Sequence, residues 1–197
     1  AGDDAYNIAI GHSAGANVST GVRNTIMGGL AGDALTTGDY NIAIGYNALT
    51  AEDTGNRNTA VGYKSLEALN YDGDGLNTGI GYAAGQAMTT GTQNTIIGGH
   101  AGDALTDGNT NVAVGAYALS AETRGDRNVA VGRQALASQN NTSDTDVYNV
   151  AVGYNAGLSV STGTQNTIVG GLAGDALTTG TNNVAMGYGA LGSEDTG

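Results

Sequence analysis

Apolar residues recur along this chain in short clusters, each opened by an asparagine and closed by a glycine. The opening residues are Asn7, Asn24, Asn41, Asn58, Asn77, Asn94, Asn111, Asn128, Asn149, Asn166 and Asn183. The steps between them are 17, 17, 17, 19, 17, 17, 17, 21, 17 and 17 residues, which makes 11 units. The residue after each Asn is β-branched in every unit, from Ile8 and Thr25 to Val184, and two further on stands Ile, Val or Met. Side chains alternate across a strand, so these two positions share one face. Branched side chains suit that pleated surface. The pattern predicts a short strand per unit with the branched pair turned to the core. The glycine four places after each Asn, present in all 11 units, ends the strand at a corner.

The rest of each unit predicts a second buried position that moves. Units one and two of each set have Gly eight after the Asn and a large apolar residue eleven after: Val18, Leu35, Met88, Leu105, Val160 and Leu177. Units three and four have Leu eight after, at Leu49, Leu66, Leu119, Leu136 and Leu191, and in unit three Glu52, Glu122 and Glu194 take the other place. A narrow core with room for one large side chain per coil would enforce this exchange, provided consecutive units stack directly. The units recur in blocks of four beginning near Asn7, Asn77 and Asn149, and the long steps fall in the fourth unit. Good helix formers occur at 65–69 and 117–122, but 17 residues bent by glycines leave little length for a strand and a helix together. The expected fold is therefore all-β: one parallel β-solenoid over residues 1–197, with 11 coils of 17 residues. At sheet spacing it is about 50 Å long.

The alternate strand positions are not polar either. They carry Ala9, Ile26, Ala43, Ala60, Ile96, Ala113, Ala130, Ala151, Ile168 and Ala185, with Gly79 in the fifth unit. A strand apolar on both faces is normally covered on both. If the branched pair faces the core, this second column leaves an apolar stripe on the order of 500 Å², more than a lone soluble protein usually exposes. It is the predicted face of self-association. The Asn column itself predicts an amide ladder along the stack.

Composition narrows the function. The chain of 197 residues has 35 Gly and no Pro, Cys, Trp or Phe. Net charge is −12, and the only strong bases are Arg23, Arg57, Lys64, Arg124, Arg127 and Arg133, which argues against a nucleic-acid partner. No apolar run is long enough for a membrane-spanning helix. Both ends fall inside repeats, as expected of a segment of a longer protein. The only histidines, His12 and His100, occupy different positions in their units and do not pair by stacking. No triad or zinc set can be assembled, so an enzyme is not expected, nor a cofactor.

The strand motif, as in 41–49 (NIAIGYNAL), 58–66 (NTAVGYKSL) and 149–157 (NVAVGYNAG), resembles two families. One is the head repeat of YadA-type trimeric autotransporter adhesins. The other is the Asn-Thr-Ala-x-Gly repeat shaft of phage tail fibres and related bacterial surface proteins. The resemblance covers nearly the whole chain, and its 17-residue coil and four-unit block favour the tail-fibre type. It implies a left-handed β-roll wound as a homotrimer, extracellular, on a virion or bacterial surface, that projects or performs host attachment. The alternative is an ice-binding β-solenoid, since flat Thr arrays order water. Against it, the Thr column is broken by Ile and Val and is expected to point inward.

Two features are candidates for binding. A tyrosine row stands five after the Asn, at Tyr46, Tyr63, Tyr82, Tyr154 and Tyr188, suited to stacking on the sugar rings of a surface polysaccharide. The insertions at 70–76 and 139–148 are the only irregular surface, where recognition usually sits. Their Asp72, Asp74, Asp144 and Asp146 are weak calcium candidates, with solvated loops the plainer reading.

Overall fold

The computed structural model describes residues 5–193, 195 and 196. In chain order the strands are β1 (Ile8–Ile10), β2 (Thr25–Met27), β3 (Ile42–Ile44), β4 (Thr59–Val61), β5 (Thr78–Ile80), β6 (Thr95–Ile97), β7 (Val112–Val114), β8 (Gly125–Asp126), β9 (Val129–Val131), β10 (Thr145–Asp146), β11 (Val150–Val152), β12 (Thr167–Val169) and β13 (Val184–Met186). All but β8 and β10 form one 11-stranded parallel sheet in sequence order. Every pairing joins the same position of consecutive units, as in Ile42 opposite Thr59 and Val112 opposite Val129. Each unit is therefore one coil of a parallel β-solenoid, and the described residues contain no helix. The extra residues of the fourth coil in each block bulge outward without shifting the sheet register: Val61 still opposes Ile80, and Val131 opposes Val152. The inserted segments pair back on the coil before them, through β8 with β10 and a bridge between Asn56 and Asp74.

The asparagines do form a buried column, but the amides act mainly on backbone. Asn24 Oδ1 accepts the N–H of Asn41 at 2.8 Å, and its Nδ2 donates to the Gly38 carbonyl at 2.8 Å. Asn111 does the same with Asn128 N–H and the Gly125 carbonyl, both at 2.9 Å. Each side chain thus ties the next coil on and closes its own. This explains the glycine fourteen after the Asn, whose carbonyl is the acceptor. In the two insertion coils that acceptor is displaced. Asn128 Nδ2 turns instead to Asn111 Oδ1 at 3.1 Å, and Asn58 Nδ2 has no partner among the described residues.

The corner glycine is required by the coil beyond it. Gly11 has φ +132°, and a Cβ there would sit 2.6 Å from the carbonyl oxygen of Gly28 in the next coil. Gly98 repeats this with φ +137° and 2.6 Å to Gly115. No L side chain fits either the angle or the space.

The inward and outward faces are the reverse of the expectation. Ile26, Ala43, Ala60, Ile96, Ala113, Ala130, Ala151, Ile168 and Ala185 lie in the core, at 1% exposure or less. They are not a self-association face. Ala9, in the same column, is exposed at the end of the described stack. The branched pair faces out: Ile8, Ile42 and Val184 are exposed, as are Ile10, Met27, Ile80 and Met186. The cause is the width of the coil. The inward strand position shares parity with the buried Asn and meets a second alanine column, Ala31, Ala48, Ala84, Ala101 and their equivalents, buried except for Ala14 and Ala190 at the ends of the stack. Only small side chains fit between the two unless a glycine makes room, as beside Ile26, Ile96 and Ile168, and the other branched residues go where the pleat is open.

The second buried position moves as the sequence suggested, to Leu35, Met88, Leu105, Val160 and Leu177 in some coils and Leu49, Leu66, Leu119 and Leu136 in others, but the core is not limited to one large side chain per coil. In the second coil of each block Ile stands over a glycine: Ile26 Cδ1 lies 3.6 Å from where a Cβ of Gly32 would be. In the third coil Ala43 is matched by buried Leu49. The fourth coil holds two large groups at once, Leu66 and Leu69, both fully buried. Leu66 reaches into the next coil, 2.8 Å from a Cβ built on Gly85. The glycine coils are filled by their neighbours, so close packing is met across coils and not within each one.

Candidate functional site

The outward sheet face is four columns wide. The branched pair forms its centre, and the residues one before and five after each Asn form its borders. From one place before the Asn to eight places after it, no coil carries Asp or Glu, although the chain has 18 of them. Four of its six Lys and Arg residues, Arg23, Arg57, Arg127 and Arg133, stand on the two borders. The face is thus apolar at its centre, edged by Tyr and Arg, and has no Asp or Glu at its own positions, although Asp74, Asp146 and Asp103 reach Arg57, Arg127 and His100 at its borders. Sequence reasoning missed it because the inside was assigned by side-chain size. The distribution of acidic residues around the unit was the available signal.

One border is a Tyr/Arg column. Arg23 hydrogen-bonds the Tyr40 hydroxyl, and the guanidinium carbons of Arg23 and Arg57 lie 5.2 and 5.6 Å from the Tyr40 ring centre. Arg57 pairs with Asp74 and Arg127 with Asp146, and Arg127 also lies 5.6 Å from the Tyr148 ring. The expected calcium candidates are therefore already engaged. Asp72 accepts from the Thr54 hydroxyl at 2.5 Å, and Asp144 lies 3.7 Å from Arg124. The four carboxylates sit on two separate loops, and no cluster of three or more potential ligands occurs among the described residues.

The other border is an aromatic ladder. Tyr46 and Tyr63 stack at 5.7 Å between ring centres, and Tyr63 and Tyr82 at 5.0 Å with planes 9° apart. The ladder continues through His100, 5.1 Å from Tyr82 but tilted 57° to it, to Tyr117, 5.2 Å further with planes 8° apart. His100 and Tyr117 lie six places after their Asn, where the backbone is left-handed (φ 55° and 59°). Gly99 and Ala116 occupy the fifth place, so the longer ring swings into line. Sequence alignment by position missed this change of place. Both faces of Tyr63 and one face of Tyr82 are covered by stacked neighbours, which leaves mainly ring edges and hydroxyls open, not the broad faces that stack on sugars. Tyr154 stands apart with Arg133 5.8 Å from its ring, and Tyr188 is exposed at the end of the described stack.

Both insertion loops are pinned by buried carboxyls. Glu52 accepts the N–H groups of Gly55 at 2.7 Å and Tyr71 at 3.2 Å. Burial pushes its carboxyl above the usual value, and the hydrogen bonds from Gly55 and Tyr71 only partly offset this. Glu122 binds the second loop more fully. It accepts Asn141 N–H and side-chain amide, both at 2.9 Å, and Gln139 Nε2 at 2.8 Å. Glu194, the third member of this series, lies outside the described residues. Glu67 bridges three coils, accepting from Asn47 at 3.1 Å, Lys64 at 3.0 Å and Gln86 at 2.6 Å. Partial burial works against ionisation there, but these donors together hold the carboxyl below its usual value.

No protein-family model matches this chain, and neither the curated proteins nor the solved structures contain a match to it.

Proposed function

We propose that this chain is a rod segment of a homo-oligomeric surface fibre, in which the outward face, with no Asp or Glu at its own positions, packs against identical chains. The observation that carries this reading is the segregation of charge on that face. Its centre is a stripe of Ile, Val, Thr and Met roughly 50 Å long and ~10 Å wide, about the largest apolar patch that monomers leave exposed. Tyr and Arg border it, the residue types enriched where proteins meet. The like-charged carboxylates lie on the other sides of the coil, where they keep assembled rods soluble. The resemblance to trimeric adhesin heads and tail-fibre shafts adds threefold, left-handed winding, a place outside the cell on a virion or bacterium, and a role in projecting or making host contact. Surface polysaccharide is the proposed target of such a fibre. Light scattering on the native particle tests the reading. A mass of three chains is expected, and a single-chain mass overturns it.

A second reading gains from the reversal of faces. Thr59, Thr78 and Thr95 are aligned neighbours on the outward face, beside Val61, Ile80 and Ile97. A flat array of hydroxyls and methyls at sheet spacing is suited to ordering water, so an ice-binding solenoid is the alternative. Ice-recrystallisation inhibition by a single-chain particle would establish it in place of the fibre.

A further inference from the structure

We propose that the ladder from Tyr46 to Tyr117 is a binding site for elongated, planar aromatic anions laid along the stack. Five rings follow one another at 5.0–5.7 Å, a run of about 20 Å at strand spacing. Within its two stacked runs, Tyr46 to Tyr82 and His100 to Tyr117, the rings cover one another's faces and present their edges outward, and Tyr46, Tyr63, Tyr82 and Tyr117 are 41–55% exposed. Ring edges carry the positive part of the aromatic quadrupole and favour edge-to-face contact with the π surface of a flat ligand. Beside the ladder run the outward Ile44, Val61, Ile80, Ile97 and Val114, a continuous apolar floor in sheet register. A rigid rod-like ligand touches every rung without loss of fit, because the rungs repeat at the spacing of the coils.

The charge of the ligand follows from its surroundings. Asp103 Oδ2 lies 2.9 Å from His100 Nδ1 within the ladder, whereas Arg133, at the border position of the coil after Tyr117, has no carboxylate partner among the described residues. Lys64 sits 5.8 Å from the Tyr63 ring and is held there by Glu67. An anionic end group near Arg133 is therefore favoured over a cationic one. The ladder borders the face proposed to pack against identical chains, so the site requires that border to stay at the open rim of the assembly.

The test uses the folded chain and a disulfonated planar azo dye, Congo red, in equilibrium dialysis, with flow linear dichroism for its orientation. Saturable binding is expected, with the dye axis along the stack. Tyr82→Ala, which removes two ring contacts, should weaken binding about tenfold, while Tyr82→Phe should retain it. Arg133→Ala should weaken binding and reduce its dependence on salt. Tyr40→Ala, on the opposite border of the face, should leave it unchanged. Circular dichroism confirms that each variant is folded. Equal or tighter binding of cationic thioflavin T, unaltered binding by Tyr82→Ala, or no saturable binding at all would overturn the proposal.

Discussion

At the scale of single residues, two neighbouring departures from the alanine columns explain each other. Ser65 replaces alanine seven places after Asn58, and Gly79 replaces alanine two places after Asn77. Ser65 donates its hydroxyl to the Gly79 carbonyl at 2.8 Å. A Cβ on Gly79 would lie 2.7 Å from both Ser65 Oγ and Leu66 Cγ. Gly79→Ala should therefore destabilise the fold by about 1–3 kcal/mol, through overpacking, in urea unfolding. Ser65→Ala should cost about 1 kcal/mol, the net worth of one hydrogen bond. Glu52 yields a prediction in pH. Its folded carboxyl titrates above the ordinary 4.5. Between that value and the raised one, the native state holds a proton that the unfolded chain has released, so this group lowers stability as pH rises through the window. Glu52→Gln, which cannot ionise, should gain on the parent protein as pH increases toward neutrality. That advantage should vanish below about pH 4.5, as read from the difference in unfolding midpoints.

At the scale of the coil, the Asn clip is the element that turns a loose turn into a rung. Asn111→Leu leaves the Asn128 N–H and the Gly125 carbonyl without the partners described above, a cost of about 2–5 kcal/mol for two buried backbone groups. Asn111→Asp retains an acceptor for Asn128 but loses the donor to Gly125 and buries a charge, so it should be no better at neutral pH. Both are measurable by denaturant unfolding. The coil was readable in the sequence because its constraints are strictly local. The clip needs Asn, the corner needs Gly, and the spacing of the two fixes one turn. Its facing was not readable. Ile, Val and Thr are ordinarily core residues, and only the width of the closed coil shows that alanine must take their place. The aromatic ladder was half visible for a related reason: Tyr46, Tyr63 and Tyr82 keep one position, while His100 and Tyr117 join from the adjacent left-handed position, which no spacing rule marks.

For the whole molecule, the reversal separates folding from assembly. Ile80→Lys alters an exposed position at the middle of the outward face, so the chain should keep its circular dichroism and melting behaviour while the native mass falls to one chain by light scattering. Ile96→Lys, one coil on and fully buried, should abolish folding altogether. If Ile80→Lys leaves the mass of an oligomer unchanged, the contact between chains lies elsewhere.

Each coil bonds only to the coils directly before and after it, so the molecule has no long-range closure to satisfy. Length is then a free variable, changed by whole blocks. Excising residues 77–148 would remove one four-coil block, including its insertion, and shorten the stack by about 19 Å. The remainder still meets the nearest-neighbour rule that sets repeat-protein stability, and its denaturant sensitivity should fall in step with the surface it buries. A lineage carrying such a chain can adjust its reach by unequal recombination between blocks, without designing a new core each time.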